Sequence, residues 1–157
     1  MSINCFFLSS ISLSITTLFL IIILLKYGKE RIQRILLLFN LSVFVWAIAA
    51  TAISQISSDS QLSDLIWRIG TIGVSFTCPT PLHITYILTK RNLKKAVIFS
   101  YIQAAIFSIL ILKTNLVLIN IVNPVSKDFL IFSPGKLYLF WFLSWFLLIS
   151  YSHFYLI

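Results

Sequence analysis

The chain has 157 residues, of which 59% are hydrophobic and 10% charged, and it carries a formal net charge of +8. Soluble domains carry about 25% charged residues, and a mean hydropathy of +1.01 leaves more apolar surface than a soluble core of this size can hide. The sequence therefore predicts an integral membrane protein, all-α, with about five spans. The basic residues lie in short clusters between apolar runs, a topology signal that argues against nucleic acid as a partner.

The first predicted span covers about 3–25. Its first half is rich in Ser and Thr (Ser9, Ser10, Ser12, Ser14, Thr16, Thr17), and its second half is aliphatic. Hydroxyls in a membrane helix bond the carbonyl a turn earlier or a neighbouring helix, and the first is the simpler reading here. The segment lacks a basic start and a small-residue cleavage site, so it reads as a retained span and not as a signal peptide. A basic loop follows, with Lys26, Lys29, Glu30, Arg31 and Arg34.

The second span covers about 35–53. Asn40, Ala47, Thr51 and Ser54 fall near one helical face, and small, mildly polar residues on one stripe favour close helix contact in lipid. Trp46, near the middle, reads as a packing residue. A short polar loop from Gln55 to Asp64 follows.

The third span, about 65–88, is the least lipid-like. As a helix it would reach roughly 36 Å, against a hydrocarbon core of about 30 Å. Asp64 precedes Arg68 by four residues, the favourable order for a helical ion pair. The plain reading is a solvated pair with a snorkelling Arg68; the functional one turns Arg68 into the bundle to hold an anionic ligand. Gly70 and Gly73 admit another backbone. Pro79 and Pro81 each remove an amide donor and should kink or break the helix, and neighbours must then bond the freed carbonyls. His83 is an intramembrane ionisable residue, a functional candidate against packing or a hydrogen bond. Lys90, Arg91, Lys94 and Lys95 close the span.

A fourth span covers about 96–112. Between Thr114 and Lys136, Asn123-Pro124 and Ser133-Pro134-Gly135 are turn signals, so this region is expected to be an outer loop against the bundle with short strands or an interfacial turn. The fifth span, about 137–157, is dense in aromatics. Cys5 and Cys78 are too few for a disulfide framework and read as two unpaired thiols. No metal or cofactor motif and no catalytic constellation is found. Lys and Arg concentrate in the loops at 26–34 and 90–95, which places the N-terminus outside and the end of the fifth span at the cytoplasm.

From the second span onward the chain resembles the N-terminal seven-helix membrane region found ahead of some bacterial histidine kinases and diguanylate cyclases. The residues that carry the likeness are Asn40-Leu-Ser-Val-Phe-Val-Trp46, Trp67-Arg68-Ile-Gly-Thr-Ile-Gly73, the Pro79/Pro81 pair, Leu82-His83 and Pro134-Gly135-Lys-Leu-Tyr138-Leu-Phe140. It covers roughly five of seven expected helices; spans six and seven and an output domain are missing, as in a fragment or a truncated gene. The resemblance implies a non-catalytic sensory input region in the plasma membrane, read out by a cytoplasmic output domain that this chain lacks. A homodimer follows by analogy with dimeric signalling kinases. The Gly- and Pro-rich third span is then the candidate bistable element, with Arg68, Gly70, Gly73, Pro79, Pro81 and His83 as ligand or conformational residues. The alternatives are a small transporter or channel component, a membrane scaffold, and a lipid-modifying enzyme using His83, Arg68 and Gln103. No carboxylate within a span supports ion relay or acid–base work.

Overall fold

A computed structural model describes residues 5–55, 61–126 and 129–156. Within them the chain forms α1 (Cys5–Tyr27), α2 (Arg31–Ile53), α3 (Gln61–Thr77), α4 (Pro79–Thr89), α5 (Lys94–Lys113), strands β1 (Leu118–Ser126) and β2 (Phe129–Pro134), and α6 (Tyr138–Phe154). The architecture is a helical bundle with one hairpin. Helices α1, α2 and α5 are each long and apolar enough to cross a bilayer. Helix α6 is apolar but shorter, 17 residues or about 26 Å.

Helix α2 starts four residues before the expected boundary. Glu30 and Gln33 form a reciprocal capping box around its first turn, so two amides that would otherwise lack partners are bonded. The expected third span is two helices. Helix α3 ends at Thr77, Cys78 sits between, and Pro79 opens α4 as its first residue, where a missing N–H costs nothing.

Interhelical pairs fix the direction of each helix. Gly70 of α3 lies against Ala49 and Gly73 against Ser42, so α2 and α3 are antiparallel. Arg68 bonds to Thr114, while His83 meets Tyr101, so α5 runs antiparallel to α3 and α4. Ser75 pairs with Trp141 and Thr85 with Ser152, so α6 runs parallel to them. Together α3 and α4 behave as one broken element running through the bundle, with α2, α5 and α6 packed around it. Helix α1 packs chiefly along α2.

The hairpin is antiparallel, pairing Leu118 with Pro134 and Ser126 with Phe129. This meets the expectation of short strands between the fourth and fifth spans. Asn123-Pro124 is a correction: the pair lies inside β1 and makes no turn. Its register slips between Val122 and Ser126, and an irregularity is where a strand tolerates an imino residue that cannot donate to the ladder. The loop residues 56–60, with Asp59, and residues Lys127, Asp128 and Ile157 lie outside the described residues.

Beneath the hairpin, Phe107 and Ile111 of α5, Val117, Leu118 and Trp141 of α6 form the main buried apolar cluster, with Ile72 and Val74 of α3 against it. Elsewhere the outside of the bundle is apolar: Phe19, Ile22 and Leu25 of α1, Phe99, Ile102 and Ile109 of α5, and Phe140, Phe146 and Leu147 of α6 are all exposed. A monomer in water rarely shows such a continuous apolar face; a bilayer is its natural solvent. Cys5 is exposed, Cys78 is buried, and both are free thiols.

Candidate functional site

The six candidate residues separate into three groups along α3 and α4. Arg68 sits at the hairpin end, Gly70 to Pro81 fill the middle, and His83 lies toward the basic end.

Arg68 is buried and points into the bundle, so the solvated, snorkelling arrangement is not the one it adopts. Its Nε donates to Asp64 Oδ2 at 2.6 Å. Nη1 donates to the carbonyls of Ile111 and, at 2.8 Å, Thr114. Nη2 donates to Asn115 Oδ1 at 2.7 Å and, at the long limit of 3.5 Å, to the Leu118 carbonyl. A guanidinium has five N–H donors, and each has a protein acceptor here. Two of those acceptors are terminal carbonyls of α5, where a cation also meets the negative end of the helix dipole. Arg68 therefore clamps α3 to the end of α5 and the root of the hairpin, and it has no donor left for a ligand.

Gly70 and Gly73 face α2. A Cβ on Gly73 would stand 2.6 Å from the Ser42 carbonyl oxygen and 3.1 Å from the Trp46 amide nitrogen; one on Gly70 would stand 2.7 Å from the Ala49 Cβ. Both glycines are there for backbone approach, as small residues are at membrane helix contacts.

The break at Cys78 is chemically closed by side chains. Pro81 removes the amide that would reach the Thr77 carbonyl, and the Thr80 hydroxyl donates to that carbonyl at 3.3 Å. The Val74 carbonyl accepts from the Thr77 hydroxyl at 2.7 Å. It also accepts from the Trp145 indole of α6 at 3.2 Å, and the same indole reaches Thr77 Oγ1 at 3.2 Å. One turn back, the Trp141 indole donates to Ser75 Oγ at 3.1 Å. Two tryptophans of α6 are thus bonded to the wall of the break.

Those indoles also line a cleft of about 620 Å³ bounded by α2, α3 and α6, with Pro81 of α4 on its wall. All four tryptophans of the chain, Trp46, Trp67, Trp141 and Trp145, line it. Along α6 the rings of Tyr138 and Phe142 stack at 6.4 Å and 12°, and those of Phe142 and Trp145 at 6.1 Å and 24°. The lining is almost wholly apolar and holds no Lys, Arg, Asp or Glu. Such a cleft suits a neutral, flat or chain-like apolar molecule arriving through the bilayer.

His83 is half-buried. Its Nδ1 lies 3.3 Å from the Tyr101 hydroxyl, and the two rings meet edge to face at 5.8 Å. It joins α4 to α5 and is not near Arg68: 15 residues of helix separate them, about 22 Å. Gln103, the third residue of the lipid-enzyme alternative, donates to Ser144 on α6. The structure does not bring these three polar residues together. Among the described residues no group of three or more His, Cys, Asp or Glu side chains converges.

The cleft residues Trp141 and Trp145 escaped the sequence reading as site residues. A signal was present: Tyr138, Phe142, Trp145, Ile149 and His153 recur at offsets of three and four, the spacing of one helical face. Aromatics on the other faces of α6 hid it. The chain matches no protein-family model, no curated protein and no solved structure.

Proposed function

We propose that the chain is the membrane-embedded signal-input region of a signal-transduction protein of the histidine-kinase type, non-catalytic itself, in the plasma membrane. On this reading α1, α2, the α3–α4 pair, α5 and α6 are five spans, with the N-terminus outside. The antiparallel alternation of α2, α3–α4, α5 and α6 supports that count, and so do the basic residues at the end shared by Arg31 and Lys90.

The observation that carries the reading is the break at Cys78–Pro79, bonded through Trp145 to a neighbouring helix at the wall of an apolar cleft. A molecule entering the cleft meets the indole that holds the broken helix. Displacing that ring shifts the position of α6 relative to the end of α3 at the break, and α6 is the element whose far end faces the cytoplasm in this topology. A small change in packing is thereby converted into a shift between two helix arrangements. The bilayer is the standing partner, and the cytoplasmic output domain is the one that reads the shift.

Reading the coding DNA past the codon for Ile157 tests this. Two further apolar spans followed by a kinase or cyclase domain are the expected result. A stop codon directly after Ile157 overturns the sensory reading. In the intact receptor, unchanged signalling after Pro79→Ala and Pro81→Ala would remove the break from the mechanism.

A further inference from the structure

At the end of the bundle opposite Arg68, a surface pocket of about 270 Å³ is lined by Arg31, Tyr86, Ile87 and Lys90. Unlike the apolar cleft between α2, α3 and α6, it is as polar as it is apolar. Arg31 is the first residue of α2 and Lys90 closes α4, so two cations from separate helices meet at one depression. Neither has a carboxylate partner: the Arg68–Asp64 pair is the only ion pair among the described residues.

Lys90 carries a second sign. Its φ of 53° and ψ of 15° put it in the left-handed region, and it is the only non-glycine there among the described residues. Helices commonly end in this conformation on glycine, which has no Cβ to strain. Here a lysine occupies the position, at the end of α4, and lines the same pocket as Arg31. Two like charges held together without a counter-charge favour a bound anion. Tyr86 and Ile87 complete the pocket's lining.

We propose that this pocket binds the phosphate of an anionic phospholipid, with Arg31 and Lys90 on the phosphate oxygens and an acyl chain along Ile87. Basic pockets between membrane helices at the headgroup level are suited to such lipids. The proposal rests on this end of the bundle lying at the membrane surface and not on a sensory role.

The test is thermal melting of the whole chain purified in a neutral detergent, as phosphatidylglycerol or phosphatidylcholine is added in mixed micelles. Phosphatidylglycerol should raise the melting temperature and phosphatidylcholine should not. Arg31→Gln and Lys90→Gly should each weaken the apparent affinity for phosphatidylglycerol about fivefold, the effect of one basic residue near an anionic surface. Lys90→Gly relieves the left-handed strain, so in phosphatidylcholine it should melt no lower than the parent, which separates lost binding from lost folding. Lys95→Gln, a basic change at the same end but outside the pocket, should alter the affinity less than twofold. Equal shifts with both lipids, or equal losses in Lys95→Gln and Arg31→Gln, overturn the site. An equal shift from inorganic phosphate alone overturns its assignment to a lipid.

Discussion

Helices α1 and α3 share a bundle and solve opposite problems. In α1 the hydroxyls of Ser9, Ser10, Ser14, Thr16 and Thr17 all bond carbonyls three or four residues back in the same helix, and only Ser10, Thr17 and Ile21 are buried. In α3 the buried residues are Ser63, Trp67, Arg68, Gly70, Thr71, Gly73 and Ser75, small or polar with one exception. The less apolar helix is the more central. In water this would invert the usual order, since burial follows apolarity. In lipid the surroundings are as apolar as any side chain, so apolarity selects no partner. Close backbone approach and interhelical hydrogen bonds decide which helix goes inside.

Breaking the polar clamp of α3 should have the largest effect. Arg68→Met keeps the apolar stem but strips Ile111, Thr114 and Asn115 of their donor and leaves Asp64 without its partner. Hydrogen bonds to charged groups are worth about 1.5–3 kcal/mol each when one partner is removed, and several are lost together. A destabilisation of about 3 kcal/mol or more is expected, measured by unfolding in mixed micelles with rising SDS. A loss below about 1 kcal/mol would mean that water or lipid headgroups replace the clamp.

The helix contact comes next. Gly73→Ala places a methyl against the Ser42 carbonyl, which is backbone and cannot rotate away. Overpacking of this kind costs about 1–3 kcal/mol, and α2 must move outward to admit it. A cysteine pair across α2 and α3 that crosslinks in the parent should crosslink more slowly in the variant. Trp145→Phe should be milder. It keeps a ring in the cleft but removes the indole donor shared by Val74 and Thr77, at about 1 kcal/mol. Because Thr77 still donates to Val74, the break survives, and the change tests the link to α6 alone.

Much of this contrast was legible in the sequence. Composition and the spacing of basic clusters pointed to a membrane bundle, and the glycines at 70 and 73 to a close backbone approach; the α2 face they meet, Ser42, Trp46 and Ala49, is not the Asn40, Ala47, Thr51 and Ser54 stripe. Pro79 and Pro81 marked the break, because a missing amide is a local property. The fate of Arg68 was not legible. Its partner Asp64 is four residues away, but the acceptors that bury it lie more than forty residues on, at the end of α5 and the start of the hairpin. The cleft was hidden for a related reason: Trp46, Trp67, Trp141 and Trp145 come from three helices, and only the directions of those helices bring them to one place. Pro124 misled because a proline at a strand irregularity and a proline in a turn look alike in one dimension.

The smallest effect belongs to α1, and it is the sharper test of the rule. Thr17 is buried against the bundle and its hydroxyl bonds the Leu13 carbonyl at 2.8 Å. Thr17→Val removes that hydroxyl while keeping the shape. The Leu13 carbonyl retains its ordinary helical partner, so no polar atom is stranded, and a change within about 0.5 kcal/mol is expected in the same SDS titration. Thr71 of α3 is equally buried and also bonds a carbonyl in its own helix, that of Trp67, at 2.8 Å. Thr71→Val should therefore resemble Thr17→Val, and both should fall far below Arg68→Met. If Thr71→Val instead approached the cost of the clamp, centrality itself would set the penalty. The distinction between bonds made within a helix and bonds made across the bundle would then lose its force.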